Sequence, residues 1–320
     1  MGGRPTPPTA YCERAEGSSS DRLQAFDPVV LDRAAPHLSG MTIRDYLQIE
    51  RLWPRGPVVS VLRFEGVIMP RLRRHAISLA SHARAIERAF NLRGVVAVAI
   101  VVNSPGGSPV QSALLFRRIR QLAEEKGIPV VAFAEDVVAS GGYWLALAGD
   151  EIFGEETSLV GSIGVISAGF GLDELIKRLG IERRLYTAGT HKSLLDPFLP
   201  VDPGDVERLS GLQQDIHRAF KEHVRQRRAG KIDGADESLF NGDLLTGHMA
   251  AARGLIDGIG ELRAVMRARY GDKVKLRPVR VERRRPIWSR LPFGAREPLA
   301  AIADLADWIE ARLLWARFGL

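Results

Sequence analysis

Val95 to Val102 reads Val-Val-Ala-Val-Ala-Ile-Val-Val, eight residues without a polar side chain. A short continuous run of β-branched residues and alanine suggests a strand buried on both faces, as in a parallel sheet covered by helices. A second such run, Ile128 to Ala134, follows a helix marked by Leu115, Ile119 and Leu122 and stopped by Gly127. Val58 to Leu62 opens an earlier strand that Gly66-Val67-Ile68 continues, and Ile77 to Phe90 carries helix-spaced apolar residues. Further along, the pattern predicts a short helix over Ser140 to Ala148 and strands at Glu151–Phe153 and Leu159–Ile166. A helix over Leu172–Leu179 and a strand over Ile181–Thr187 come next. A long amphipathic helix then runs from Asp205 to Arg228, with Leu209, Leu212, Ile216 and Phe220 on one face. Strands alternating with helices define an α/β class with a mostly parallel sheet and flanking helices.

Composition bounds the rest. With 45% hydrophobic and 26% charged residues in 320, global disorder, a collagen-like repeat and a small disulfide scaffold are excluded. Cys12 is the single cysteine, so an intrachain disulfide, a four-cysteine zinc site and an iron–sulfur cluster are excluded too. The N-terminal stretch is rich in Gly, Pro and Ser and lacks the apolar core of a secretory signal. The longest uncharged run, Gly94 to Phe116, is interrupted by Asn103-Ser104-Pro105-Gly106-Gly107-Ser108-Pro109, so no transmembrane helix is expected. Without signal or anchor, the expected location is the cytoplasm.

The net charge of +7 is unevenly placed. Fourteen basic and six acidic residues follow Leu262, which leaves the first 262 residues nearly neutral. The chain accordingly divides into an N-terminal extension (1–53), a body (54–272) that begins at the Pro54-Arg55-Gly56-Pro57 cluster, and a basic segment (273–320). That last segment carries an apolar stripe of Leu299, Ile302, Ala306, Ile309, Leu313 and Ala316. Such a stripe docks on the body or a neighbouring subunit. The alternative is a peripheral contact with anionic membrane at the inner face, with Trp308, Trp315 and Phe318 near the interface. No nucleic-acid motif accompanies the basic residues, and no nucleic-acid partner is expected.

Two loops could carry chemistry. Asn103-Ser104-Pro105-Gly106-Gly107 lies between a buried strand and a helix, where glycines let backbone N–H groups face outward as an oxyanion hole requires. The plain alternative is a tight turn. Ala139-Ser140-Gly141-Gly142 follows the next strand, and Ser140 stands at a helix start beside the Gly141 amide, where an N-cap role is the plain alternative. Parallel strands put both loops at one sheet edge, so a nucleophile and facing amides can share a site. A serine needs a base. No histidine occurs between Gly141 and Thr190, and the next ionisable group in a glycine-flanked loop is Lys192, with His191 beside it as a rival. A lysine acts as a general base when desolvation neutralises it.

Asn103–Gly107, Ala139–Gly142, Val160-Gly161-Ser162-Ile163-Gly164-Val165, the Lys192 loop and Gly254-Leu255-Ile256-Asp257-Gly258-Ile259-Gly260 occur in the order found in the bacterial signal peptide peptidase A (protease IV) family. The chain resembles that family from about Val58 to Tyr270. The resemblance implies a Clp/crotonase-like fold (a ββα spiral) and a serine peptidase acting through a Ser/Lys dyad, without metal or cofactor. It implies Ser140 as nucleophile, Lys192 as base, Ser162 as the serine that orients the lysine, and the Gly107 and Gly141 amides as oxyanion hole. It implies peptide substrates such as signal-peptide remnants or apolar segments, and a homo-oligomeric ring. Two features depart from the family: no N-terminal membrane anchor is expected, and His191 precedes the lysine. The competing readings are a Clp-type or crotonase-like acyl-transfer enzyme and a non-catalytic scaffold with a basic tail.

Overall fold

The computed structural model describes residues 56–70 and 76–281. The N-terminal extension, the Pro54-Arg55 half of the boundary cluster and the apolar stripe over 299–316 lie outside the described residues. Eight strands form one sheet, with β1 Val58–Glu65, β2 Val95–Ser104, β3 Val130–Ala139, β4 Glu151–Gly154, β5 Leu159–Gly161, β6 Leu244–Thr246, β7 Gly258–Ile259 and β8 Lys275–Pro278. Between them run the helices α1 Leu79–Phe90, α2 Pro109–Lys126, α3 Gly141–Ala146, α4 Asp173–Arg178, α5 Pro203–Arg227, α6 Gly247–Ala252 and α7 Leu262–Tyr270. The main path is β6-β5-β3-β2-β1-β8, with β4 and β7 branching from β3. Every pairing is parallel except β5 with β6. This mostly parallel sheet with flanking helices is the α/β, Clp/crotonase-like architecture that the sequence implied.

Burial explains β2. Ala97, Ala99 and Val101 pack on one face with Val59, Phe133 and Met266, whereas Val98, Ile100 and Val102 pack on the other with Phe64, Leu115 and Ile119. A Val or Ile so buried contributes roughly 1.5–3 kcal/mol. A one-residue slip would exchange the two faces, and the large side chains of one layer would meet space shaped for the alanines of the other. The helices start and stop where local chemistry directs. Ser108 caps α2 by accepting from Gln111 N, Pro109 sits in its first turn, and Gly127 ends it in the left-handed region at φ 61.

β3 forks. Val131–Ala134 pairs with β4, and Val137–Ala139 pairs with β5. The partner strand β2 shifts register between Val102 and Ser104. Asn103 fills the irregularity, its Oδ1 accepting from Val137 N at 3.2 Å and its Nδ2 donating to Asp136 at 2.6 Å. The fork sends the end of β3, and with it Ser140, toward the β5 turn.

Some expectations give way to tertiary context. The strand expected through Ile166 stops at Gly161, and Ile181–Thr187 is exposed and irregular rather than a strand. Among the described residues no strand pairs with the backbone beyond Gly161, so the extended-type sequence after the Ser162 turn does not continue the sheet. The stripe on α5 is also exposed in large part. Phe220 is buried, but Leu212 is 55% and Ile216 38% exposed. The end of α5 near Phe220 and Val224 packs on the body, whereas its first turns, with Val206 and Leu212, do not.

Candidate active site

Ser140 follows the last residue of β3 and precedes α3. Its backbone sits at φ 51 and ψ −121, an unfavourable region for any residue with a side chain. Ser162 follows the last residue of the adjacent parallel strand β5 and also has φ 51. The two strands pair Ala139 with Gly161, and the Ser140 amide donates to the Gly161 carbonyl at 2.8 Å. Two serines therefore leave neighbouring strand ends side by side, both in strained conformations. Ser162 N donates to Asp243 O at 2.7 Å, and its carbonyl accepts from Gly164 N at 2.9 Å, which ties the turn to the segment entering β6.

The glycine loop after β2 closes against Ser140. A methyl group on Gly106 would lie 2.8 Å from the Ala139 carbonyl, the Gly141 amide nitrogen and Ser140 Cβ, so only glycine permits this approach. Gly107 is held by Ile68, whose N–H donates to Gly106 O at 2.8 Å while its carbonyl accepts from Ser108 N at 2.7 Å. A methyl group on Gly141 would stand 2.6 Å from Ser112 Oγ and 3.3 Å from Gly107 N, which places the Gly107 amide beside the start of α3. The Gly141 amide is at the first position of a helix, where no intrahelical acceptor exists. Among the described residues, neither the Gly107 nor the Gly141 N–H gives a hydrogen bond. Ser104 and Ser112 lie fully buried beneath, Ser104 Oγ accepting from Gly106 N at 3.1 Å and Ser112 Oγ donating to Ser108 O at 3.0 Å.

Ser140, Ser162, Gly107 and Gly141 are thus brought together, whereas Lys192 is not joined to them. It stands exposed in a turn-rich segment. Its backbone N–H donates to Gly189 O at 3.4 Å, and its ammonium makes no hydrogen bond or ion pair among the described residues. His191 is exposed as well. A shallow groove of about 240 Å³ opens beside the Ser162 turn, lined by Val165 and by Ser210, Gln213, Gln214 and His217 of α5. His217 reaches the Ile163 carbonyl, a contact that neither motif nor spacing marks in the sequence. Also unmarked are Arg227, Arg228 and the buried Ser112. No cluster of His, Cys, Asp and Glu suited to a metal occurs among the described residues.

The mostly parallel sheet with flanking helices is of the α/β, Clp/crotonase-like class, and at one edge it carries a strained serine and two amides that have no hydrogen-bond partner among the described residues. Residues 122–275 match the model of peptidase family S49. It is 36% identical over 182 residues to "Serine protease SPPA, chloroplastic" of Arabidopsis thaliana, covering 56% of this chain and 26% of that one. It is 28% identical to "Protease 4" of Haemophilus influenzae, over 56% of this chain and 28% of that one. A Brucella abortus protein named "Na(+)/H(+) antiporter NhaA" is 48% identical over 98% of this chain and 42% of its own length. The chain spans less than half the length of each of these relatives. Among the described residues no helix is long and apolar enough to cross a membrane. The solved "1510-N membrane-bound stomatin-specific protease S97A mutant" overlays with a TM-score of 0.46 at 14% identity, over 71% of this chain and 100% of that one.

Proposed function

We propose that this chain is a serine endopeptidase in which Ser140 is the nucleophile and Lys192 the general base. The observation that carries the reading is the pair of serines at φ 51 on adjacent strand ends, beside two amides that have no hydrogen-bond partner among the described residues. Strain of that kind persists where function requires it. Ser140 Oγ attacks the peptide carbonyl while its proton passes to the neutral Lys192 amine. The oxygen of the tetrahedral intermediate accepts from the Gly107 and Gly141 amides. The carbon–nitrogen bond then breaks, Lys192 returns the proton to the leaving amine, and water activated by Lys192 hydrolyses the acyl-enzyme. Ser162 holds the lysine in line.

Lys192 must leave water to act, and in a single chain it is exposed. A homo-oligomeric ring supplies that burial. Support comes from the exposed apolar residues concentrated over 166–216, among them Ile166, Phe170, Leu179, Tyr186 and Val201. Substrates are extended peptides with apolar residues, such as signal-peptide remnants, and binding uses the backbone. The basic segment after residue 272 adds a peripheral contact with anionic membrane. The Brucella relative supports a place beside a membrane, since there a segment similar to this chain lies within a longer polypeptide named for an antiporter.

Intact-mass analysis with a fluorophosphonate tests the reading. One adduct is expected on the native chain, none on Ser140→Ala, and at least 100-fold slower labelling on Lys192→Ala. An adduct that survives Ser140→Ala, or full-rate labelling of Lys192→Ala with loss in His191→Ala, overturns the assignment.

A further inference from the structure

Helix α5 touches the Ser162 turn and the far end of the short helix that Ser140 opens. Near its middle, His217 Nε2 lies 3.1 Å from the Ile163 carbonyl. A carbonyl oxygen only accepts, so Nε2 carries the proton and donates. Ile163 follows Ser162 directly, so this bond holds the turn in addition to the one from Ser162 N to Asp243 O. Ten residues on, roughly 15 Å along the helix, Arg227 Nε and Nη2 donate to the carbonyls of Leu147 and Gly149, both at 2.9 Å. These groups close the C-terminal end of α3, whose other end begins at Ser140 and Gly141. A cation there satisfies carbonyls that lack an intrahelical donor and complements the helix dipole. Arg120 of α2 assists with a longer bond to Ala148 O at 3.3 Å. Between the two contacts, Phe220 and His223 stack on Trp144 of α3, with centroids 4.9 and 4.8 Å apart, so α5 cannot pivot on α3.

We infer that His217 and Arg227 are positioning residues, one for the Ser162 turn and one for the helix that Ser140 opens, and that α5 is the strut that fixes Ser162 relative to Ser140 and the Gly141 amide. The inference rests on the peptidase reading and deepens it. Neither residue touches the reacting atoms. His217 acts through Ser162 on the lysine, and Arg227 acts through α3 on the nucleophile and one oxyanion donor. The groove beside His217 is open to water, so removal of the imidazole lets water reach the Ile163 carbonyl and costs the fold little. The catalytic cost is larger, because a misplacement of about 1 Å lowers a rate by roughly 100-fold. An effect on turnover without an effect on stability therefore separates a positioning role from a structural one.

The test uses the full chain and a fluorogenic peptide amide with leucine before an aminocoumarin leaving group. His217→Ala is expected to lower kcat 10- to 100-fold, with KM within threefold and the melting temperature nearly unchanged. His217→Gln, whose amide can donate to the same carbonyl, should keep kcat within threefold of native. Arg227→Ala should lower kcat about tenfold, limited by the Arg120 bond to the same helix end, and Arg227→Lys should recover part of it. The exposed Gln226→Ala serves as the control on the same helix. Native kcat in His217→Ala, or His217→Gln as impaired as His217→Ala, overturns the inference. A native chain inert to both the peptide and fluorophosphonate would instead defeat the peptidase reading. The strut is then judged by amide exchange at Ser162 and Gly164, which His217→Ala should accelerate at least tenfold. Unchanged exchange overturns it.

Discussion

The space around Gly141 is set by one buried hydroxyl. A methyl group there would meet Ser112 Oγ at 2.6 Å, and the side chain could yield only by turning away from its bond to Ser108 O. A buried hydroxyl left without a partner costs about 1–3 kcal/mol, and the turn would also press on the Gly107 amide. Gly141→Ala is therefore expected to lower kcat at least tenfold, and Ser112→Ala in the same chain should restore most of the loss. Steady-state kinetics on the four members of the cycle check this, and strictly additive effects would refute it. The residues of this site were unequally legible. Glycine runs after apolar strands announced Gly106, Gly107 and Gly141, because a close backbone approach needs residues without a Cβ. Ser112 carried no such mark, since a serine on a helix face looks the same whether it supports a site or faces solvent. The strain at Ser162 was equally silent, because φ is a property of the turn and not of the residue type.

The Gly254–Gly260 motif helps hold α3 in place at the scale of elements. Tyr143 of α3, fully buried, donates to the Leu255 carbonyl at 2.7 Å. Arg228, 2% exposed, donates to Gly254 O at 2.8 Å and to Asp257 at 2.7 Å, and Asp257 also accepts from Lys231 and from Ile152 N. Burial raises the Asp257 carboxyl, but the bonds from Arg228, Lys231 and Ile152 together hold it below the ordinary carboxylate range. Its contribution is present above the unfolded pKa near 4 and is lost as pH falls through the lowered value. Breaking a buried pair by removing one partner costs about 3–5 kcal/mol, so Arg228→Met should shift the urea midpoint far more than Lys231→Met does. Two histidines give a second pH signature. Burial lowers His82, stacked on Phe64 at 5.0 Å, to about 4. Burial first, and then the neighbouring Arg227 and Arg117, lower His223 to about 4, with Trp144 as a partner on the raising side. The unfolded chain binds these protons below about pH 6.5 and the folded chain does not, so stability declines from pH 6.5 toward pH 4. Each histidine should account for about 1–2 kcal/mol between pH 7.5 and 5. His223→Phe, which keeps the stack on Trp144 and removes a buried Nε2 that has no hydrogen-bond partner among the described residues, should flatten the decline. Urea unfolding at the two pH values checks it, and an unchanged slope would refute the assignment. None of these long-range ties was legible, because Tyr143 and Leu255 are 112 residues apart and no periodicity links them.

Across the whole molecule, the described residues fall into a sheet with two buried faces and a segment, 166–216, that keeps its apolar residues outward. Phe170 is 85% and Tyr186 89% exposed, and Ile166, Leu175, Leu179, Ile181 and Val201 are exposed with them. Monomeric proteins rarely present so much apolar surface in one stretch, and such surface marks an interface. Local pattern made this segment misleading, since Ile181–Thr187 and the α5 stripe carry apolar spacing that a single chain does not use. The same segment holds Lys192, so burying the segment and drying the base are one event under the ring proposal. Charge placed in the apolar surface should then undo both. Phe170→Glu with Tyr186→Glu is expected to convert the native oligomer to monomer in analytical ultracentrifugation. Its kcat should fall at least tenfold, because an exposed ammonium cannot accept a proton. The two substitutions lie away from the sheet, so the melting temperature of the monomer should change little. A native chain that sediments as a monomer at micromolar concentration while cleaving peptide at full rate would refute the coupling. It would require the 188–196 turns to fold over Ser140 within one chain.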